Sequence, residues 1–285
     1  MRFLSALLIA GSAFALDPGT LPSAFRTGGP NCVDVPDWQV HAYNEDFYIL
    51  RESGCINYEK PFLYLIFGDN FALLEDTGAG NVQTAPQVLA LIDKWAKMKK
   101  RAPVPLIVIH SHGHGDHTAG DKQFQALPNV KFIAATPAAI AEVGAEIDLG
   151  GRVLDVLTIP GHNVASIALY DRKTGILLTG DSLYPGRLYV PIADMSAFTA
   201  SAAKLAAFVK THQIAHVLGT HIEQAATPYV DYPTGTVYQP DEHALALTRA
   251  HVLELSEACN AMGATPQTTA LPDFTIVVRP ARPAR

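Results

Sequence analysis

The feature that most constrains this chain is a cluster of histidines in a glycine-containing turn. Four of the 11 histidines lie within residues 110–117, in the segment HSHGHGDH. An apolar run over residues 106–110 leads into the cluster and predicts a buried strand. Gly113 and Gly115 let the backbone bend tightly, so that side chains two positions apart can converge on one point. We interpret the cluster as part of a metal site. The alternative interpretation is a histidine-rich surface turn with loose metal affinity.

Three further polar residues follow later predicted strands, and a glycine closely precedes each of them. They are His162 in PGH, Asp181 in TGDS and His221 in GTH. Strand ends are where α/β folds gather catalytic groups. Taken singly, Asp181 is also explained as a helix cap, and either histidine as a core residue. Together with the turn they form a set of imidazole and carboxylate ligands that suits zinc and needs no thiolate. The set, large enough for two ions, is His112, His114, Asp116, His117, His162, Asp181 and His221.

Short apolar runs and helical patterns alternate along the rest of the chain, which predicts an α/β fold. The first half reads as β-hairpins separated by glycine-containing turns. Predicted strands cover residues 38–43, 47–51, 61–67, 70–75, 131–134, 153–159, 166–170, 176–179, 215–219 and 274–278. Predicted helices cover residues 85–101, 137–143, 196–212 and 241–262.

The composition limits the partners of the protein. Hydrophobic residues make up 48% of the 285 residues, enough for a sizeable core, which excludes global disorder. Acidic residues outnumber basic ones 27 to 21, for a net charge of −6. Such a surface repels polyphosphate, so a nucleic-acid binder or an anionic-membrane binder is disfavoured. We expect a small-molecule substrate; the oligomeric state stays open.

The first residues, MRFLSALLIAGSAFA, predict an export signal over residues 1–15. Arg2 supplies the positive start, an apolar run follows, and residues 13–15 form an A-x-A cleavage pattern. The alternative is a buried N-terminal strand or helix. The run is too short to span a bilayer, and no later stretch approaches ~20 unbroken apolar residues, so we expect no stable membrane insertion. The prediction is an exported protein, periplasmic or secreted, with one catalytic domain over residues 16–285.

The chain has three cysteines. In an oxidising compartment Cys32 and Cys55 could close a loop across the hairpin region, but their spacing alone cannot establish that bond. Cys259 lies in a helical pattern and is most simply a small buried hydrophobe.

In their order along the chain, the motifs SHGHGDHTAG, PGH, TGDSLY and GTH resemble those of the metallo-β-lactamase fold superfamily. The resemblance implies an αββα sandwich of two mixed β-sheets flanked by helices, with its site at one edge of the sheets. It also implies a role for each residue of the set. A first metal would be held by His112, His114 and His162, a second by Asp116, His117 and His221, and both by a bridging Asp181.

The resemblance extends to residues outside the metal set. The segment EDTG is similar to a strand-end D-T-G of the superfamily. The resemblance implies that Asp76 contacts a metal-binding side chain and orients it, without binding the metal itself. His110 lies outside the matched pattern, and packing at the end of its strand is its expected role.

The resemblance implies a binuclear zinc hydrolase with two zinc ions per chain, iron being the alternative metal. A hydroxide shared by the two ions would attack the carbonyl carbon of an ester, lactone or amide. Asp116 would orient the nucleophile and relay its proton to the leaving group. If Asp181 is only a turn residue, one ion or two loosely coupled ions are expected instead.

Other members of the superfamily supply the alternatives. Histidine at position 114 favours hydrolysis over di-iron redox chemistry, although an iron-dependent persulfide dioxygenase shares that histidine. TGDSLYPG is similar to a stretch of certain metallo-β-lactamases, so hydrolysis of a β-lactam ring is a second alternative. Glyoxalase II-type thioesterases share the seven residues but usually carry a longer C-terminal helical domain, which places a thioester substrate behind the others.

Two features bear on the substrate. Tyr184 stands three residues after Asp181, as does a tyrosine of quorum-signal lactonases in the superfamily, where it resembles an oxyanion donor. The alternative is that Tyr184 only packs the pocket wall. The segment 226–240, which contains three tyrosines among prolines, is long for a plain connection. It is expected either to gate the metal edge or to cross the surface with aromatic anchors.

Overall fold

The structure, a computed structural model, describes residues 15–26, 29–32 and 35–280. The predicted export signal lies outside the described residues, except for Ala15. The strands are β1 (Trp38–Asn44), β2 (Phe47–Glu52), β3 (Phe62–Phe67), β4 (Ala72–Glu75), β5 (Leu106–Ile109), β6 (Val130–Phe132), β7 (Glu146–Asp148), β8 (Val153–Thr158), β9 (Ile167–Asp171), β10 (Ile176–Gly180), β11 (Arg187–Pro191), β12 (His216–Gly219), β13 (Ala246–Leu247), β14 (Thr269–Ala270) and β15 (Thr275–Arg279). The helices are α1 (Thr84–Met98), α2 (Gly115–Thr118), α3 (Asp121–Gln125), α4 (Pro137–Val143), α5 (Met195–Thr211) and α6 (Arg249–Met262).

Two six-stranded mixed sheets form the centre of the fold. The first has the order β1-β2-β3-β4-β5-β6, and its last two pairings are parallel. The second has the order β13-β12-β10-β9-β8-β7, with β10 and β12 parallel. A three-stranded sheet, β11-β15-β14, lies beside them.

Alternating side chains in the strands explain the layers. In β3, Tyr64 and Ile66 point into a core that also holds Leu178 and Leu218 of the second sheet. Leu63 and Leu65 point the other way, into the core that α1 covers. Because successive side chains of a strand face opposite sides, a strand covered on both faces is apolar throughout. The outer face of the second sheet packs on α5 and α6 in the same manner. The predicted αββα sandwich is therefore confirmed.

The main error of the sequence prediction is the start of the last helix. It was expected at residue 241, but α6 begins at Arg249. Thr248 caps it, since its side chain accepts a hydrogen bond from the backbone N–H of Ala250. The preceding residues contain β13, which pairs with β12. The short strands β7, β11 and β14 and the short helices α2 and α3 were not predicted. Apart from the five-residue β11, each is too short to repeat its hydrophobic pattern more than about once.

Two further expectations concern the cysteines and membrane spans. Cys32 and Cys55 form a disulfide, with their Cα atoms 5.4 Å apart, and Cys259 is buried. Among the described residues, one segment, Ile192–Thr211, is long and apolar enough to cross a membrane. Core helices pass the same test of length and composition, and Phe198 of this segment is packed in the core. The segment is therefore weak evidence for a membrane span.

Candidate metal centre

The seven residues of the set lie where the two sheets meet at one edge. The histidine turn follows β5 of the first sheet, whereas the other three motifs follow β8, β10 and β12 of the second. Hydrogen bonds join the sheets here: the N–H of Phe62 donates to Thr220 O at 2.8 Å, and the N–H of Ile167 donates to Ser111 O at 2.9 Å. The carboxyl ends of strands from both sheets therefore converge on one site.

Two glycines permit this close approach. Gly180, at the end of β10, has φ +51°, and a Cβ atom there would lie 2.8 Å from the Cβ of Ser111. Gly161, before His162, has φ +145°, and a Cβ atom there would lie 2.5 Å from the Cα of Phe198 in α5. Because only glycine combines such φ angles with such contacts at low cost, the glycines that precede the candidate ligands have a packing role.

The first ligand group consists of three histidines that point ring nitrogens at one another. Nδ1 of His114 lies 3.0 Å from Nε2 of His112 and 3.0 Å from Nε2 of His162. The two Nε2 atoms are 3.2 Å apart. Oδ2 of Asp181 completes the group, 3.3 Å from Nε2 of His162 and 3.8 Å from Nε2 of His112.

The second ligand group combines two histidines with two carboxylates. Nε2 of His117 and Nε2 of His221 are 3.3 Å apart. Oδ2 of Asp116 lies 3.2 Å from the former and 3.3 Å from the latter. Oδ1 of Asp181 lies 3.5 Å and 3.3 Å from the same two nitrogens. Asp181 therefore stands between the groups, with one carboxylate oxygen in each.

These spacings fit a metal ion in each group. A tetrahedral zinc ion with bonds of 2.0–2.1 Å holds its ligand atoms about 3.3 Å apart, which is close to the separations within both groups. In each group, one ligand atom from each of four residues lies within 4.8 Å of the others. Ring nitrogens that face each other have no shared acceptor, so a cation or a proton is needed at their centre. The donor set thus suits zinc, as predicted.

Hydrogen bonds at the outer ring nitrogens fix the direction of the inner ones. Nδ1 of His162 contacts Tyr189 O at 2.8 Å, and Nδ1 of His221 contacts Glu59 O at 2.9 Å. Nδ1 of His117 contacts Oδ2 of Asp76 at 2.8 Å. A histidine that donates from one nitrogen presents the lone pair of the other, which is the form that binds metals.

Ser111 of the histidine turn fixes the carboxylate of Asp76 in place. The N–H and the hydroxyl of Ser111 donate to its two oxygens, at 2.7 Å and 2.8 Å. The Ser111 hydroxyl also lies 3.1 Å from Nδ1 of His112. Sequence reasoning identified Asp76 but missed Ser111, Tyr189 and Glu59. Ser111 is polar and adjacent to a ligand, which is a usable signal, whereas the other two act through backbone carbonyls that any residue carries.

The electrostatic environments of the groups differ. Burial lowers the pKa of His112 and of His162. Burial also acts on His117 and His221, but the surrounding carboxylates outweigh it, raising the pKa of His117 well above its usual value and that of His221 to about 9. Against its own burial, Asp181 has a pKa held well below the usual range by the facing histidines. The second group is therefore a strongly cation-attracting environment.

Two residues outside the groups have defined contacts, the predicted site residue Tyr184 and His110, for which a packing role was expected. The Tyr184 side chain is 2% exposed, and its hydroxyl donates to Arg187 O and lies 3.2 Å from Oε2 of Glu223. To donate to a substrate it would have to leave both, so its role as an oxyanion donor stays a prediction. His110 is buried at the end of β5, with Nε2 2.8 Å from Oδ1 of Asp121, and belongs to neither group.

The segment 226–240 is anchored to the body of the protein. The buried Lys60 donates from Nζ to Thr236 O at 2.6 Å, and burial lowers the pKa of Lys60 to about 8. Arg187 donates to Tyr232 O at 2.9 Å. Tyr229, by contrast, is 63% exposed. These contacts agree with a surface crossover, but they anchor it through backbone carbonyls and not through aromatic rings; a gating role stays a prediction.

Known proteins were compared with this chain. No protein-family model matches it. The acyl-coenzyme A thioesterase MBLAC2 of Gallus gallus is 26% identical over 216 residues, which are 62% of this chain and 75% of that protein. A hydroxyacylglutathione hydrolase of Stenotrophomonas maltophilia is 31% identical over 199 residues, covering 64% of this chain and 74% of that protein. The metallo-β-lactamase FIM-1 of Pseudomonas aeruginosa superposes with a TM-score of 0.51 at 15% identity, covering 81% of this chain and 98% of that chain, and supports the fold alone.

The layered fold, the His/Asp cluster and the hydrolase relatives together define a metal-dependent hydrolase. The chain belongs to the metallo-β-lactamase superfamily. The resemblance seen in the motifs SHGHGDHTAG, PGH, TGDSLY and GTH is thereby confirmed.

Proposed function

We propose that this protein is a two-zinc thioesterase that acts on a small-molecule thioester. The observation that carries the proposal is the pair of ligand groups that share Asp181, each with the spacing of a tetrahedral zinc site. The substrate class rests on the relatives, which are named as an acyl-coenzyme A thioesterase and a hydroxyacylglutathione hydrolase. Sequence reasoning had placed thioesters behind esters and lactones, and these relatives favour the reverse order.

We assign the ligands as the motifs imply. The first ion would be held by His112, His114 and His162, and the second by Asp116, His117 and His221, with one carboxylate oxygen of Asp181 available to each. Zinc bound in these groups polarises a carbonyl and lowers the pKa of water toward 7. His114 is exposed, and the Asp116 side chain is 23% exposed, whereas the other five members are buried. The substrate therefore approaches from the side of His114 and Asp116.

Asp116 is the group that handles the proton. Against the effect of burial, His117 and His221 hold its pKa well below the usual range, so the carboxylate is ionised and, as a weak base, passes a proton on rather than keeping it. In hydrolysis the water oxygen bonds to the thioester carbonyl carbon and the C–S bond breaks. One water proton passes by way of the carboxylate to the departing sulfur, which yields a carboxylic acid and a thiol. Because a thiolate is a good leaving group, the chemistry needs only modest proton assistance.

A substrate panel with matched chemistry tests this function. An S-acetyl thioester, an acetate ester, a homoserine-type lactone and a chromogenic cephalosporin are assayed with and without chelator, and bound metal is counted. We expect thioester turnover that chelation abolishes and zinc restores, with two zinc ions per chain. Faster turnover of the lactone or the cephalosporin would contradict the substrate class. One iron per chain with oxygen uptake would contradict the hydrolytic zinc centre and favour the dioxygenase alternative.

We also propose that the protein is exported to the periplasm or secreted. The signal-like first 15 residues and the disulfide between Cys32 and Cys55 support this, since disulfides persist in oxidising compartments. After expression of the full chain in bacteria, the cell fractions are separated and the protein is weighed by mass spectrometry. We expect a product that begins at Leu16 and lacks free thiols at Cys32 and Cys55. A cytoplasmic product that retains residues 1–15 would contradict export.

A further inference from the structure

An exposed arginine stands on the small sheet beside the metal centre. Arg279 ends β15, and its register partner in β11 is Pro191. The guanidinium carbon of Arg279 lies 3.8 Å from the centre of the Tyr189 ring. Among the described residues, no carboxylate forms an ion pair with it. The cation is thus held by an aromatic face, while its N–H groups stay available to a ligand.

Tyr189 connects this arginine to the first ligand group. Its backbone carbonyl accepts the hydrogen bond from Nδ1 of His162, while its ring carries Arg279. Arg279 therefore lies beside the part of the chain that holds His162 of the first ligand group.

Beside the second ligand group the charge is negative. Glu59 holds His221 through its backbone carbonyl, and its side chain accepts a hydrogen bond from Tyr58. Chiefly through that hydrogen bond, Glu59 raises the pKa of Tyr58 to about 12. Tyr58 is 44% exposed and lies within electrostatic range of both Asp116 and Tyr189. The mouth of the site is thus basic beside the first group and acidic beside the second.

We propose that Arg279 determines specificity by binding an anionic group of the substrate, a carboxylate or a phosphate. This inference rests on the proposed thioesterase function and adds the substrate's charge. The planar guanidinium can bind either oxyanion through two parallel hydrogen bonds. Because its stacking on Tyr189 already orients the side chain, less conformational entropy is lost when an anion binds. An anion at Arg279 would leave the remainder of the molecule over the two ligand groups and would keep the anion itself beside the first group, away from the carboxylate of Glu59.

The test compares three small thioesters, two anionic and one neutral. They are 2-(acetylthio)acetate, 2-(acetylthio)ethyl phosphate and the neutral 2-(acetylthio)ethanol, which share the reacting acetylthio group and carry different head groups, and they are assayed with the zinc-loaded enzyme. For Arg279→Gln we expect KM to rise about tenfold or more for at least one anionic thioester, with kcat nearly unchanged. KM for the neutral thioester should stay the same. The anionic thioester whose KM rises more shows whether Arg279 binds a carboxylate or a phosphate. Arg279→Lys should recover part of the affinity, because lysine keeps the positive charge but cannot donate two parallel hydrogen bonds from one planar group.

A charge-matched control and a binding measurement separate the possible failures. Arg172→Gln removes the same charge in the turn before β10, at the other end of that strand from Asp181, and should leave KM unchanged. Calorimetry with the non-hydrolysable thioether 2-(ethylthio)acetate and its phosphate counterpart measures binding without turnover. If wild type hydrolyses no thioester, the proposed function fails, but weaker thioether binding by Arg279→Gln still supports the inference. An equal rise of KM for charged and neutral thioesters, or none for either anion, would overturn it.

Discussion

Behind the first ligand group, the outer nitrogen of His162 contacts a neutral oxygen, the backbone carbonyl of Tyr189. Behind the second, the outer nitrogen of His117 contacts a buried carboxylate, that of Asp76. A carboxylate behind an imidazole raises its basicity and strengthens its bond to a metal. The second group therefore has a buried negative charge behind one of its histidines, whereas the first has a neutral oxygen behind His162; both share the carboxylate of Asp181.

The two groups are nevertheless coupled. Asp181 contributes one oxygen to each. On the far side, Ser111 donates to the carboxylate of Asp76 behind the second group and contacts His112 of the first. The two groups therefore share Asp181 at the metal-facing side and Ser111 at the side of the outer ring nitrogens. We expect substitutions at the shared residues to affect both groups.

The largest expected effect comes from the shared carboxylate. Asp181→Asn keeps the shape of the side chain but removes the charge from both groups. We expect fewer than two zinc ions per chain and a loss of turnover above ~100-fold, more than is typical of a residue behind a ligand. Metal analysis and steady-state kinetics measure these quantities. Asp155→Asn, which removes a carboxylate beside Arg172, is the control. Two tightly bound zinc ions in Asp181→Asn would contradict the sharing.

A smaller effect, confined to one group, is expected at Asp76. Asp76→Asn removes the charge behind His117, and asparagine tolerates the positive φ of 68° at this position. We expect the zinc affinity of the second group to fall ~10–100-fold while the first group keeps its ion. Competition with a chelator, followed by metal counting, resolves the two affinities. Equal weakening of both groups would show that the contrast between them does not depend on this carboxylate.

Glu52 is a buried carboxyl group close enough to Asp116 of the second ligand group to sense its charge. The pH dependence of protein stability measures how strongly burial and this charge act on Glu52. Its Oε2 accepts the N–H of Ala79 at 2.8 Å, and burial, with a smaller contribution from the charge of Asp116, raises its pKa to about 8. A raised carboxyl pKa stabilises the folded state at low pH, and this contribution is lost as pH rises from about 4.5 toward 8.

Unfolding of the chelator-treated protein measures this contribution. Relative to wild type, Glu52→Gln should gain about 2 kcal/mol in unfolding free energy between pH 5.5 and 7.0, because the amide does not titrate. Subtracting wild type removes the contributions of groups that titrate alike in both proteins. A difference that is constant with pH would mean that Glu52 is ionised in the fold.

The smallest effect is expected at Tyr184. Its hydroxyl is occupied by Arg187 O and Glu223, so Tyr184→Phe should reduce kcat far less than the ~10²–10³-fold seen when an oxyanion donor is removed. Steady-state kinetics on the thioester panel measure this. A loss as large as that of a true donor would show that the tyrosine turns toward the substrate and would restore its predicted catalytic role.

Local sequence signals predicted those elements that local contacts determine. Helix α4 has the predicted bounds because Thr136 caps it and Pro137 suits its first turn. The strands of the first sheet were predicted to within about two residues from their apolar runs. Strand β11 escaped prediction because its partner β15 lies far along the chain. No local pattern reports such a pairing, and the early predicted start of the last helix has the same origin in the pairing of β13 with β12.

The amino-acid sequence by itself determined the kind of chemistry at this site. Imidazole and carboxylate groups stand after apolar strands, with glycines where the backbone must bend. Only the tertiary structure decided which nitrogen of each ring faces inward, that Asp181 reaches both groups, and that Arg279 rests on Tyr189. The reason is physical. Residue types set which atoms can bind a cation, whereas the direction of each atom depends on hydrogen bonds from strands that are distant in sequence and meet only when the two sheets pack.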